Sequence, residues 1–225
     1  MTARIPPSLR ELSETTQDYL REIHALEHDG RRATTLALAK KMRVAPPSVT
    51  SMLKKLSEVG LVDHTPYRGA VLTETGRTVA LELLRHHRLL EQYLAETLAV
   101  PIDAVHSEAD RLEHALSEEL ERRIDESLGF PTHDPHGDPI PSAQLVLEES
   151  RLRPLAALEP GERAIIRRVR DRGPEFVRYL AELGLLPGHA VEVLAAAPFD
   201  GPVTVRVVGK KHAIAREVAA DIGVD

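Results

Sequence analysis

Thr34-Thr-Leu-Ala-Leu-Ala-Lys-Lys-Met-Arg-Val-Ala-Pro-Pro-Ser-Val-Thr-Ser-Met-Leu-Lys-Lys-Leu-Ser-Glu-Val-Gly60 is the stretch whose reading decides the fold. Thr34 or Thr35 offers an N-cap to a helix over Leu36–Met42, because a hydroxyl accepts from an otherwise unpaired first-turn amide. Arg43-Val44-Ala45 follows as a tight turn. Pro46-Pro47 then opens a second helix, Ser48–Val59, since the first turn has no use for the N–H that proline lacks. Gly60 closes it. Two helices so joined form a helix-turn-helix, whose second helix enters the major groove of DNA. That helix carries Pro47, Ser48, Thr50 and Ser51 near its start and Lys54 and Lys55 beyond them. Small hydroxyl residues reach base edges or phosphates, and lysines suit phosphates.

Working outward, Leu61–His64 and Ala70–Thr73 alternate on either side of Pro66-Tyr67-Arg68-Gly69, which spells a β-hairpin. A hairpin directly after the reading helix is a wing, and Arg68 at its tip is placed to meet the phosphate backbone. Upstream, Leu12, Tyr19, Leu20, Ile23 and Leu26 recur at helical spacing over 11–28, with Asp29-Gly30 as the stop. Asp18 lies on this helix beside Tyr19, where an acid either faces a crevice or stays in solvent. Residues 1–10 are expected to fray.

Downstream, a long helix over Thr73–Thr97 puts His87 and Glu91 on one face. Val100-Pro101 breaks it, and the next helix, about Ile102–Ala115, carries His106, Asp110, Glu113 and His114. At about 100° per residue these four fall within one arc of a regular helix. Two imidazoles and two carboxylates on one face suit a divalent transition metal; the alternative is a solvated acidic face with two incidental histidines. Ser117 caps a further helix to Leu128. Three helices without strands suggest a dimerisation module. Residues 76–150 hold 6 Lys/Arg against 16 Asp/Glu, whereas 1–75 hold 11 against 9 and 151–225 hold 12 against 10. An acidic middle between mildly basic ends favours a cation centrally and a polyanion at an end.

In 129–141, His133, Asp134 and His136 could hold a metal, but four prolines in thirteen residues argue first for a packed connector. Residues 142–152 read as a linker. From Arg153 the texture changes to five short strands, Leu155–Leu158, Ala164–Val169, Ala190–Ala195, Val203–Val208 and Lys211–Ala215, interrupted by a helix at about Glu175–Leu183. That suits a small barrel. The expected fold is α+β, with a winged helix in 1–75, a helical metal-binding and dimerisation domain in 76–141, and an SH3-like β-barrel in 153–225.

Cysteine is absent, which removes disulfides, thiolate ligands and cysteine nucleophiles. No leader and no membrane span are legible, so the cytoplasm is the expected location. HExxH, a nucleophile elbow and a Gly-rich phosphate loop are also missing, so a regulator rather than an enzyme is expected, with no small-molecule substrate. The rival readings are a metal-independent winged-helix regulator and a metallohydrolase.

Thr15-Thr-Gln-Asp-Tyr-Leu20, the winged helix, His86-His-Arg-Leu-Leu-Glu91, Val105-His-Ser-Glu-Ala-Asp-Arg-Leu-Glu-His114 and Pro135-His-Gly-Asp-Pro-Ile-Pro141 together resemble the diphtheria-toxin-repressor family of metal-dependent regulators. The C-terminal part is similar to that family's SH3-like, FeoA-type domain. The resemblance implies a homodimer reading a palindromic operator and two metal sites per subunit. By position, one site would comprise Asp18, Asp110, Glu113 and His114, and the other His87, Glu91 and His106. Asp171 is the only candidate for a further ligand from the barrel, since Arg168 stands where a ligand would otherwise be. Iron-responsive members place Met and Cys where Asp18 and Asp110 stand. Carboxylate in place of sulfur moves the preference toward Mn²⁺, with Fe²⁺ the alternative effector. Manganese-type members carry a Glu where this chain has Arg21, which speaks against a bridged two-manganese cluster.

Overall fold

Ser13 starts the first helix, its Oγ accepting from the Thr16 amide at 3.3 Å, and α1 runs Glu14–His28. The computed structural model describes residues 9–65, 68–148 and 151–225. Residues 1–8 of the stretch expected to fray, the Pro66-Tyr67 part of the wing tip and residues 149–150 of the expected linker lie outside these. Leu9 is no part of a frayed end, for it is buried in the core of its unit.

The chain divides into two compact units. The first holds the described residues up to His86 together with Glu113–Leu116 and Pro141–Leu147. Here α2 (Thr35–Met42) is capped by Thr34, whose Oγ1 accepts from Ala37 N at 3.2 Å. Arg43 ends it in the left-handed region at φ 55°, and α3 runs Pro46–Glu58 with proline in its first turn. Val49, Leu53 and Leu56, four and then three residues apart, turn one face of α3 into a core shared with Leu20, Ile23 and Leu26 of α1. Strands β1 (Val62–Thr65) and β2 (Gly69–Leu72) pair antiparallel as the wing, and a bridge from Ala33 to Ala70 ties its base to the segment before α2. Helix α4 (Glu74–Leu98) begins against this hairpin. A Cβ at Gly76 would lie 1.9 Å from Leu61 O, so only glycine permits that approach.

The second unit holds His87–Leu112, Ser117–Ile140 and Glu148–Asp225. Its helical part comprises the end of α4, α5 (Val105–Leu112) and α6 (Glu118–Ser127), the last capped by Ser117. The single helix expected over Ile102–Ala115 is shorter: α5 stops at Leu112, and Glu113–Ala115 wind as a 3₁₀ turn that belongs to the first unit. The proline-rich loop is packed as expected, with Asp134, His136 and Ile140 buried. Asp134 Oδ1 braces it by accepting from His136 N at 2.8 Å and Asp138 N at 3.0 Å.

The β part is one antiparallel sheet in the order β3-β8-β4-β5-β6-β7. Its strands are β3 (Arg153–Pro154), β4 (Arg163–Val169), β5 (Ala190–Ala196), β6 (Val203–Val207), β7 (Lys210–Ile214) and β8 (Ile222–Val224). Helices α7 (Pro174–Leu183) and α8 (Arg216–Ala220) complete it. Two sequence expectations are corrected here. Leu155–Leu158 is not a strand: Leu155–Ala157 form a 3₁₀ turn, and the three-residue spacing puts both leucines on its buried side. Strand β8 escapes pattern reading because Ile-Gly-Val is short and weakened by glycine, yet it lies between β3 and β4 with all three residues buried. The observed class is α+β, a winged helix, a helical region and an SH3-like β domain. No helix among the described residues is long and apolar enough to cross a membrane.

Candidate metal centre and nucleic-acid face

In the first unit, Asp18 of α1 and the Glu113-His114 turn meet. His114 Nε2 lies 3.4 Å from Asp18 Oδ1 and 3.6 Å from Glu113 Oε1. The imidazole is oriented from behind. Gln17, buried on α1, donates through Nε2 to Leu9 O at 2.7 Å and Leu12 O at 3.1 Å, which turns its Oε1 toward His114 Nδ1 at 2.7 Å. An amide oxygen can only accept, so Nδ1 carries a proton and Nε2 is the nitrogen turned toward the two carboxylates. This is how a ligating histidine is ordinarily held by its other nitrogen. Gln17, which the sequence pattern does not single out, is thus the hydrogen-bond partner of His114; its place next to Asp18 on α1 was the available signal.

In the second unit, His87 Nε2, His106 Nδ1 and Glu91 Oε1 form a triangle with all three sides 3.0 Å. Adjacent ligands of an octahedral ion with bonds of about 2.1 Å stand about 3.0 Å apart, whereas tetrahedral ligands stand about 3.4 Å apart. Two imidazoles and a carboxylate at that spacing fit one face of an octahedral transition metal. Asp171 Oδ2 approaches the same His106 nitrogen at 3.8 Å. Glu91 uses its second oxygen on the other side, 3.9 Å from His136 Nδ1, where Asp134 completes a fully buried group. Of the loop histidines weighed from sequence, His136 thus faces the centre; His133 contacts its neighbour Thr132 instead.

Within the second unit, Asp110 faces the outer side of the two imidazoles. Its Oδ1 lies 3.5 Å from His87 Nδ1 and its Oδ2 3.7 Å from His106 Nε2, which are the ring nitrogens facing away from the triangle. His106 and Asp110 share a face of α5 at i, i+4, and Glu113 and His114 lie in the 3₁₀ turn after it.

The other expected surface lies on α3. Pro47, Ser48, Thr50, Ser51, Lys54 and Lys55 are all exposed, opposite the buried Val49-Leu53-Leu56 face. Thr50 Oγ1 donates back to Pro46 O at 3.2 Å. Arg68 is exposed at the start of β2, and it lines a cavity of about 270 Å³ with Arg31 and Arg32, which the sequence reading did not single out. The one acid there, Glu27, is taken up by Arg77 at 2.7 Å and Leu72 N at 2.8 Å. The pocket is therefore cationic.

Three family models match in sequence: the iron-dependent repressor N-terminal DNA-binding domain over 11–70, the iron-dependent repressor metal-binding and dimerisation domain over 73–142, and the FeoA domain over 153–225. The diphtheria toxin repressor of Corynebacterium diphtheriae is 35% identical over 157 residues, covering 70% of this chain and 68% of that protein. The chain belongs to the iron-dependent repressor family. The diphtheria toxin repressor of Corynebacterium efficiens is 36% identical over 64% of this chain and 63% of its own length. For the iron-dependent repressor IdeR of Mycobacterium tuberculosis the figures are 38%, 59% and 58%. These alignments span about three fifths of each relative. Among solved structures, a manganese-dependent transcriptional repressor in complex with manganese superposes with a TM-score of 0.84 at 37% identity, over 93% of this chain and 98% of that one. The manganese regulator SloR does so with 0.74 at 30% identity, over 93% and 97%.

In this repressor-family chain the buried group around Glu91 has distinctive charge states. Burial opposes ionisation of Glu91, but hydrogen bonds from His106 and His87, with the His136 imidazole nearby, outweigh it and hold the carboxyl well below the usual range. Burial, with the charges of Glu91 and Asp138, pushes Asp134 up to about 8. Burial would lower His136, yet the nearby carboxylate of Glu91 and the charges of Asp134 and Asp171 raise it to about 9. The folded value of His136 exceeds the unfolded one of about 6.5. Its contribution is therefore whole below about pH 6.5 and lost as pH rises through about 9, and Asp134 adds a loss of the same sign. Urea unfolding of the chelated protein should show stability falling steadily as pH rises from about 6.5 to 9.5. A flat profile across that window would refute the assignment.

Proposed function

We propose that this protein is a metal-dependent DNA-binding transcriptional regulator that acts as a homodimer on a palindromic operator and represses metal-uptake genes, with Mn²⁺ as its effector. The observation that carries the reading is the 3.0 Å triangle of His87, His106 and Glu91 in a chain that also exposes a reading helix. Two ion sites per subunit follow. One comprises Asp18, Glu113 and His114, held by Gln17; the other comprises His87, Glu91 and His106, with Asp110 behind the imidazoles and Asp171, Asp134 and His136 beside them. A bound divalent ion supplies the positive charge that like-charged carboxylates need in order to stay close.

The residues do the rest. Asp18 lies on α1, whose Leu20, Ile23 and Leu26 are built into the winged-helix core. Drawing Asp18 onto Glu113 and His114 therefore fixes the winged helix to the turn that follows α5. Pro47, Ser48, Thr50 and Ser51 meet base edges and nearby phosphates, while Lys54, Lys55 and Arg68 hold the backbone. Each subunit reads one half-site, and half-sites fall about one helical turn, or a multiple, apart.

Oxygen at position 18 supports Mn²⁺, as does likeness to manganese-dependent repressors. Fe²⁺ is the second reading, favoured by identity to iron-dependent repressors. A duplex enriched from a random pool by the Mn²⁺-loaded protein serves as probe. Anaerobic titration with Mn²⁺, Fe²⁺ and Zn²⁺ should activate binding at the lowest free concentration for Mn²⁺, by 5–150-fold in affinity for about 1–3 kcal/mol of coupling. Activation by Fe²⁺ at lower concentration would transfer the reading to iron. Binding untouched by chelator would overturn metal dependence altogether.

A further inference from the structure

Arg21 stands one turn beyond Asp18 on α1, and it points into the first of the two groups. Its Nη1 lies 2.6 Å from Glu113 Oε1 and its Nη2 3.9 Å from Asp18 Oδ1. The Glu113 side chain has no exposure at all, so without a cation it would hold a desolvated charge. The oxygen that Arg21 engages is the same Oε1 that faces His114 Nε2 at 3.6 Å. One carboxylate oxygen thus serves both a resident guanidinium and the group of atoms suited to an ion.

We propose that Arg21 is a tethered competitor of the metal: it neutralises Asp18 and Glu113 in the metal-free protein and so sets the ion concentration at which this site fills. The proposal rests on reading Asp18, Glu113 and His114 as a metal site. Charge decides the direction. Asp18 and Glu113 carry two negative charges, which a divalent ion balances alone; with Arg21 still in place, one positive charge is in excess. Arginine cannot shed that charge by losing a proton. It can leave, because its side chain is 21% exposed and on a long apolar stem that lets the head reach water. Coupling between two ligands of one site is reciprocal, so whatever the ion costs Arg21, Arg21 costs the ion.

A purely structural role for Arg21, holding Glu113 in a ligating pose, has the opposite sign. Its removal would then weaken metal binding. The two roles separate in calorimetric Mn²⁺ titrations of the full chain as wild type, Arg21→Gln, Arg21→Lys and His114→Ala. Arg21→Gln is expected to bind the ion of this site about tenfold tighter, and Arg21→Lys to stay near wild type because the charge is kept. Thermal melting provides a readout apart from binding constants. Metal-free Arg21→Gln should melt below wild type, and Mn²⁺ should raise its melting temperature further than it raises that of wild type. If His114→Ala loses one bound ion while Arg21→Gln binds no tighter than wild type, the proposal falls and the site reading stands. If His114→Ala loses no ion, the site reading falls and the proposal with it.

Discussion

His114→Ala is expected to raise the Mn²⁺ concentration needed for operator binding at least a hundredfold, and Gln17→Ala to raise it about ten- to hundredfold. The first change deletes the only nitrogen donor facing Asp18 Oδ1 and Glu113 Oε1 among the residues that compose this group. A hundredfold loss corresponds to about 2.7 kcal/mol, modest for removal of one of three donors. The second change touches no donor. It removes the oxygen that holds His114 Nδ1 as a proton carrier at 2.7 Å, and loss of such an outer partner typically costs ten- to hundredfold. Fluorescence anisotropy on the selected duplex, titrated with Mn²⁺, gives both midpoints. Circular dichroism of the metal-free variants checks that α1 survives. An unchanged midpoint for His114→Ala would sink the assignment of this group.

The second large effect is on stability. Gly137 sits at φ 85°, and a Cβ there would lie 1.9 Å from Arg167 O and 2.8 Å from Arg167 C. The left-handed backbone alone costs a side chain about 1–2 kcal/mol. The clash is with backbone, which no rotamer relieves, so the loop and β4 must part. Parting them breaks the bond from Val169 N to His136 O, now 2.8 Å. Gly137→Ala should therefore cost about 3–5 kcal/mol, at the top of the usual range for one substitution. Hydrogen exchange locates the damage. Amides of β4, Val169 among them, should exchange on the order of a hundredfold faster, while α2, α3 and the wing stay as they were. Unchanged exchange in β4 would mean that the close approach does not exist in solution.

The winged helix was legible because its signals are local. A threonine cap, a proline pair in a first turn, apolar residues on one face of α3 and a hairpin with Gly69 are each recognisable within a few residues. Both helices fall within about two residues of where the pattern put them. The β domain was legible in its longer strands, where Val191, Val193, Val203, Val205 and Val207 alternate with exposed or half-buried neighbours. It was misread wherever local preference and tertiary position disagree. Ile222-Gly-Val224 has a weak strand signal but is covered on both edges, and Leu155–Leu158 has apolar residues at a spacing that suits a turn as well as a strand.

For the candidate metal centre, the sequence by itself determined the chemistry of the donors. Two carboxylate-and-imidazole sets without sulfur follow from residue types alone, as does the acidic middle that needs a cation. It could not determine which donors meet. An ideal helix puts His106, Asp110, Glu113 and His114 on one arc, but the α-helix ends at Leu112 and the last two lie in a 3₁₀ turn. Within the second unit Asp110 faces the outer nitrogens of His87 and His106, and within the first Glu113 and His114 face Asp18. Nor could it determine that Gln17 holds His114, that Arg21 shares an oxygen with the donors, or that Glu91 faces His136 with its second oxygen. Those are distances of a few ångströms between residues up to 97 positions apart. Periodicity fixes neighbours within a turn of helix, whereas contacts at that separation exist only once the chain has packed.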